Sequence, residues 1–467
     1  MKITIAKDQI IAGLQAVQNV VSTRTTLPIL SNVLLRAEDG KLEFTATDLD
    51  VTVACSVEAK VEKPGSTTVP VKKLFGIVRE LNGGEIEIES DEKNVTSIRS
   101  GGSFFKINGL GADEFPPLPK FKDDKKVGLS QETVRAMLKK TSFAVSTDES
   151  RYVLNGIFIS LKEGKMTLVA TDGRRLALVD EEVELSEKST GEFIVPAKAV
   201  NELNRLLQAT GEVELKFGEN QASFALKNEK GFSVLLVTKL IEGNYPNYRQ
   251  VIPGEAKERI PLGREELLQA LRRAEIMTSE KANSVKMTFG KNTLAITANS
   301  PEVGEARETL AVNYKGKEIA IAFNPRYLID PLAALSEDEV FIELIDELSP
   351  GVLKINGPFL YVVMPMRLSC AEREEDSPRF LCISPVGRAS EPTVLNQAGG
   401  VALHLPANWR PLFFPAKFQF ERVQGEVDIH DEGNQGQAER CQTPRKDDTR
   451  RPGVFPMQPS RQEQGHY

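Results

Sequence analysis

One unit of about 125 residues, written three times in tandem over residues 1–368, limits this chain more than any other feature, because a repeat folds as one architecture used again. Residues 34–48 match 157–172, and 285–299 form a third copy. In each copy apolar and other residues roughly alternate on both sides of a Gly-containing turn, the pattern of a β-hairpin with one buried face. Downstream, Val69-Pro70-Val71-Lys72 recurs as Val195-Pro196-Ala197-Lys198 and as Phe323-Asn324-Pro325-Arg326. Each proline follows an apolar strand and opens a helical pattern, where its missing N–H has no partner to lose. Pro331 should kink or shorten the third of these helices. A further helix begins each unit: Asp8 is placed to cap the first, Ser130 the second, and Arg264 opens the third. Two helices on an antiparallel sheet per unit make this an α+β fold. The expected domains are 1–120, 127–250 and 253–368, joined by Pro-bearing segments around Phe115-Pro116 and Tyr245-Pro246, which are stiff linkers.

The charge, 59 basic against 66 acidic residues, excludes a chain that grips nucleic acid by bulk positive charge. No run of 18 apolar residues exists and the N-terminus lacks the apolar core of a signal peptide, so the chain reads as cytoplasmic. Four cysteines, with Cys55 alone in the repeats, fit that compartment.

Chemistry is scarce. Residues 1–368 contain no histidine, which removes the commonest general base and metal ligand and excludes Ser-His-Asp and Cys-His mechanisms there. There is no phosphate-binding loop, and Gly109-Leu110-Gly111 does not continue to a third glycine. Asp48 and Asp50 form a D-x-D pair that could hold a metal ion; the plainer reading is a solvated turn, since Asn299 and Ser300 stand there in the third copy. Without a nearby histidine, Cys55 reads as a small strand residue. No metal site, cofactor or catalytic residue is expected.

The final strand, Tyr361-Val362-Val363-Met364-Pro365-Met366-Arg367-Leu368, together with Thr26-Leu27-Pro28-Ile29-Leu30, Leu154-Asn155-Gly156, Ala170-Thr171-Asp172-Gly173-Arg174-Arg175-Leu176 and Tyr248-Arg249-Gln250-Val251, resembles the bacterial DNA polymerase III beta subunit, the sliding-clamp family. The motifs occur in the family's order and the resemblance covers 1–368. It implies a homodimer of three-domain crescents, a six-domain ring with helices lining the hole, that encircles duplex DNA topologically and tethers the replicative polymerase without catalysing anything itself. By resemblance, Lys73, Phe105, Lys106 and Ile107 of one copy would face Ile276, Met277, Glu302 and Glu305 of the other. A weakly basic inner wall would centre DNA without pinning it. Candidates are Lys72, Lys73, Arg79, Arg135, Lys139, Lys140, Lys198, Arg205, Arg264, Arg272 and Arg273, with Arg24 in a loop that touches DNA in the family; an ordinary solvated helix face is the alternative.

The resemblance also implies a pocket for short peptide motifs of the DNA polymerase III alpha subunit, the clamp loader and repair proteins. Carried over by position, it comprises Leu154, Thr171, Gly173, Arg174, Arg175, Leu176, Pro246, Arg249, Gln250, Val251, Leu348, Pro350, Val362, Val363, Met364, Pro365, Met366, Arg367 and Leu368. Arg174 stands where many relatives have His and Gln250 where many have Arg, which would shift partner preference.

The family normally ends at the equivalent of Leu368. Residues 369–467 carry all three histidines (His404, His430, His466), Trp409, three cysteines and ten of the 26 prolines. Sparse periodicity and a polar end make this extension read as largely disordered, apart from an apolar stretch at Leu412, Phe413 and Phe414. A frameshift or readthrough extension accounts for the break, with an added regulatory module second; in either case it would obstruct the adjoining pocket. Two rival functions stand beside the clamp: a repeat scaffold that binds proteins but not DNA, and a nucleotidyl-transfer enzyme using Asp48 and Asp50.

Overall fold

A computed structural model describes residues 1–21, 27–118, 125–186, 189–227, 233–254, 258–279 and 283–366, all within the first of two compact units, Met1–Lys417 and Phe418–Tyr467. The expectations for Arg24, Arg367, Leu368 and the extension lie outside the described residues.

The first repeat runs β1 (Lys2–Ala6), α1 (Lys7–Val17), β2 (Asn32–Glu38), β3 (Lys41–Thr47), β4 (Val51–Glu58), β5 (Lys60–Lys63), β6 (Gly65–Pro70), α2 (Val71–Glu80), β7 (Glu85–Ser90), β8 (Val95–Ser100) and β9 (Ser103–Asn108). The second runs β10 (Lys126–Ser130), α3 (Gln131–Thr141), β11 (Gly156–Lys162), β12 (Lys165–Thr171), β13 (Arg175–Glu182), β14 (Gly191–Pro196), α4 (Ala197–Leu206), β15 (Glu212–Phe217), β16 (Gln221–Lys227) and β17 (Ser233–Lys239). The third runs β18 (Glu258–Gly263), α5 (Arg264–Glu275), β19 (Val285–Gly290), β20 (Thr293–Ser300), β21 (Gly304–Ala311), β22 (Ile319–Phe323), α6 (Pro325–Ala334), β23 (Glu339–Leu344), β24 (Gly351–Lys354) and β25 (Phe359–Val363).

Apart from β5 the three orders are identical. Each unit has two four-stranded antiparallel halves, and its two helices lay their apolar faces on them. Ile10, Leu14 and Val17 of α1, Val71, Leu74 and Val78 of α2, and Leu267, Leu268 and Leu271 of α5 are buried at the 3.6-residue spacing the sequence shows. The hairpins are tight: Asp39 (φ 51°) with Gly40 (φ 74°), and Glu163 (φ 52°) with Gly164 (φ 71°), hold the left-handed conformations that a two-residue turn between twisted strands requires. Ser130 caps α3 as expected, its hydroxyl accepting from the Thr133 N–H at 3.0 Å. Asp8 does not cap α1, because the helix starts one residue earlier and Asp8 falls in its first turn, where its charge meets the positive helix end.

Pro331 also departs from expectation, since α6 is ten residues long, like α2 and α4. A proline inside a helix strands the carbonyl four residues back, here that of Tyr327. The buried Tyr361 hydroxyl of β25 donates to that carbonyl at 2.5 Å, so the helix continues with its open acceptor filled.

Candidate protein-interaction sites

The halves of neighbouring units fuse. β4 of the first unit pairs with β17 of the second from Val51↔Thr238 to Ser56↔Ser233, making one eight-stranded sheet. β13 of the second pairs with β25 of the third from Arg175↔Val363 to Val179↔Phe359, making another. In both cases the strand after a unit's first hairpin meets the last strand of the following unit. The same rule leaves two counterparts: β9, the last strand of unit one, and β21 of unit three, each at the end of its sheet. An edge strand presents unpaired N–H and C=O groups.

Exposed apolar side chains gather at these two ends: Phe104 and Phe105 on β9, Val303 beside β21, and Ile276 after α5 with 72% of its surface open. Of the interface candidates, Lys73, Phe105 and Lys106 are exposed at the first end, and Ile276, Glu302 and Glu305 at the second, with Met277 half-buried beside Ile276. Ile107 is a core residue, so only its backbone belongs to the edge. Phe104 is more exposed than Phe105, with the Arg99 guanidinium 5.3 Å from its ring centroid. Strand alternation was the signal for it, since two successive aromatics cannot both point inward.

At the junction of units two and three a separate apolar cluster lies on the outer face of the fused sheet. Val169, Leu176, Val362 and Met364 form its floor, and the linker covers it with Tyr248 and Val251. Phe158 stacks on Tyr245 with centroids 5.0 Å apart. The loop ahead of β13 is shaped by Asp172, whose carboxylate accepts from the Arg174 and Arg175 N–H groups, with Gly173 at φ 85°. The Met364 N–H then bonds the Arg174 carbonyl at 2.9 Å, tying the loop to the chain beyond β25. Around this floor Arg174, Arg249, Gln250 and Leu348 are exposed, Leu348 by 60%, while Pro246, Pro365 and Met366 are half-buried. Leu154, Thr171, Gly173, Pro350 and Val363 are buried, Val363 within the main core and not in this cluster.

Arg175 behaves unlike the other pocket candidates. Only 8% exposed, its Nε donates to Asp172 at 3.0 Å, one terminal nitrogen to Asp330 of α6 at 2.6 Å and the other to the Phe143 carbonyl at 2.6 Å. Its plane lies 4.7 Å from the Tyr327 ring centroid, and the nearby carboxylates hold it charged although burial opposes that. Three of its five N–H groups are engaged, by Asp172 and Phe143 of unit two and by Asp330 of unit three, so the buried guanidinium supports the pocket from below and ties the two units together.

The six helices carry 13 Lys and Arg against 8 Asp and Glu, a net +5 in a chain of net −7. Lys72, Lys73, Arg79, Arg135, Lys139 and Arg272 are exposed on them. Other candidates spend their charge between or within units. Lys140 pairs with Glu337 at 3.0 Å, Lys198 with Asp48, and Arg205 donates to the Gln15 and Ala16 carbonyls at 2.8 and 2.6 Å. Arg264 holds the Leu332 and Glu337 carbonyls, and Arg273 chelates Glu308 on β21. Helix spacing identifies which face they share but not such partners.

Asp48 and Asp50 do not form a metal cradle. Asp48 accepts the N–H groups of Asp50 and Val51 and pairs with Lys198, and Asp50 pairs with Lys239 at 3.0 Å. Both are turn residues neutralised by lysines of the next unit. Cys55 is buried on β4, its thiol donating to the Gly13 carbonyl at 3.4 Å, and burial pushes its pKa up to about 12. At pH 8 that leaves a thiolate fraction near 10⁻⁴, on the order of a thousandfold below an ordinary thiol. Cys55 is therefore expected to resist iodoacetamide in the folded protein and react promptly in urea, as peptide mass mapping would record; prompt labelling of the native chain would refute the packing around β4.

Three tandem α+β units with fused sheets and a cationic set of helices define the class, a tandem clamp-domain protein. Residues 1–119, 128–247 and 249–367 match the N-terminal, central and C-terminal domains of the DNA polymerase III beta subunit. A beta sliding clamp of Chlamydia muridarum is 38% identical over 368 residues, covering 79% of this chain and 99% of the relative. That of Escherichia coli K12 is 36% identical over 373 residues, covering 79% and 100%. Among solved structures, the sliding clamp of Bartonella birtlesii bound to griselimycin superposes with a TM-score of 0.75 at 37% identity, over 79% of this chain and all of that one. The clamp of Bacillus subtilis gives 0.75 at 30% identity over the same shares. The chain belongs to the DNA polymerase III beta subunit family, the beta sliding clamps, and its role is that of a DNA sliding clamp in replication, a non-catalytic processivity factor.

Proposed function

We propose that two copies of this chain close head to tail, β9 of each against β21 of the other, into a six-domain ring around duplex DNA. The observation that carries this is the pairing rule at the two internal junctions, which leaves β9 and β21 as the only unmatched counterparts among the described strands. Two chains of three units then satisfy every such edge, a closed two-fold assembly. The basic helices supply weak, salt-screened attraction to phosphates, enough to centre DNA while the link itself is topological. On the same reading the domains divide at 1–120, 127–250 and 253–368, the ring works in the cytoplasm, and no helix of the described residues is long and apolar enough to cross a membrane.

The surface at the second junction, with exposed Leu348 and half-buried Pro246, Pro365 and Met366 as its apolar contacts, the packed cluster of Leu176, Val251, Val362 and Met364 as its support, and Arg174 and Arg249 at its rim, takes peptide motifs of the polymerase alpha subunit, the clamp loader and repair proteins. A buried apolar floor with few polar rim groups suits an extended peptide. The related Bartonella clamp is a structure bound to griselimycin, which makes that compound the natural probe for this surface.

Encirclement is tested by retention. Loaded onto nicked circular DNA in 0.5 M salt, the protein is expected to stay through gel filtration and to leave, at least tenfold faster, once the circle is cut. Equal dissociation from circle and line would leave only the scaffold that does not encircle DNA.

A further inference from the structure

The described chain ends at the candidate peptide surface. β25 passes through Met364 in its floor to Pro365 and Met366, whose N–H bonds the Ala322 carbonyl at 2.7 Å. From there 101 residues remain, and the two relatives named above have no counterpart for them, being covered to 99% and 100% of their own length by 79% of this chain. The family models likewise end at residue 367, so this extension lies outside the three clamp domains.

Its sequence is complementary to the place it departs from. Glu372, Glu374, Glu375 and Asp376 follow within ten residues of Met366 in the sequence, opposite in charge to Arg174 and Arg249, which are exposed at the candidate surface. Trp409, Leu412, Phe413 and Phe414 then make the densest aromatic-apolar group of the extension, with Pro411 and Pro415 restricting the backbone at both sides. The surface they would meet offers Leu348 and Ile345, 60% and 42% exposed on the segment between β23 and β24. Forty-two residues separate Met366 from Trp409, and the cost of closing such a connection grows only with the logarithm of its length.

We propose that residues 409–414 of this chain occupy the apolar surface at the junction of its second and third units, so that incoming peptides must displace them. This rests on reading that surface as a peptide site. A tethered segment acts at an effective concentration on the order of 1 mM. If the segment binds with a dissociation constant of about 100 µM, it lowers the apparent affinity of an external ligand about tenfold, because only the vacant fraction is competent.

The test uses the full chain and griselimycin as probe, measured by isothermal titration calorimetry. A Leu412→Ser, Phe413→Ser, Phe414→Ser variant is expected to bind griselimycin about tenfold more tightly than the unaltered chain, and a synthetic peptide of residues 405–418 to compete for the variant. Adding Leu348→Asp to the variant is expected to weaken both ligands together. Equal, saturable binding of griselimycin to the unaltered and serine-substituted chains overturns the occupancy and leaves the peptide site standing. Failure of either chain to bind it overturns the peptide site, and the occupancy with it.

Discussion

Ile276→Asp is expected to convert a dimer into a monomer without unfolding it. The side chain is 72% exposed in the protomer, so its replacement should change the chain's own stability by less than about 0.5 kcal/mol. At a β9–β21 contact the same residue would be covered. Burying an isoleucine contributes about 1.5–3 kcal/mol, and an uncompensated carboxylate placed there costs more. A two-fold ring contains the contact twice, so the two copies together should raise the dissociation constant by at least about a hundredfold. Phe104→Asp, at the opposite end, should act alike; the pair Phe104→Arg with Ile276→Asp should recover part of the loss, since opposite charges then meet. Sedimentation velocity from nanomolar to micromolar protein, with circular dichroism as the control for folding, measures this. A variant that remains dimeric at nanomolar concentration would show that these ends are not what closes the ring.

The repeats were legible because each is a local pattern. Alternation around Asp39-Gly40 and Glu163-Gly164, helical spacing after Pro70 and Pro196, and the Ser130 cap are all decided within a few residues of one another. Where the sequence misleads, the deciding partner is far along the chain. Pro331 is tolerated because Tyr361, 30 residues on, fills the Tyr327 carbonyl. Ile107 and Phe104 share a strand, and only the packing of unit one decides which of them turns inward. Lys198 and Arg205 read as a basic helix face, yet Asp48, Gln15 and Ala16 of the preceding unit engage them from 150 or more residues away. Position within a motif indicated that Arg175 belongs to the pocket region; its distance from Asp330 in sequence hid what it does there.

That difference has a measurable consequence. Arg175→Met is expected to destabilise the protein by about 3 kcal/mol, because removing one member of a buried ion cluster strands the others. Asp172 would lose a partner at 3.0 Å and Asp330 one at 2.6 Å, while the Phe143 carbonyl would lose its donor inside the junction. The loss should be local, falling on the β13–β25 pairing and on α6, since the first junction has Val51 at the matching position on β4 and is bridged instead by the more exposed Asp48–Lys198 and Asp50–Lys239 pairs. Hydrogen exchange is the discriminating measurement: protection should drop across 175–179 and 359–363 and hold across 51–56 and 233–238. Asp330→Asn, which keeps a hydrogen-bond acceptor, should cost less, and Arg175→Met with Asp330→Leu should recover part of the stability by removing a charge that no longer has a partner. A guanidinium that contacted peptide directly would predict the reverse, unchanged exchange at the junction with affinity lost. Uniform loss of protection across both junctions would show instead that the units do not behave as separable joints, and the contrast between a buried charge cluster at the second junction and exposed ion pairs at the first would fall.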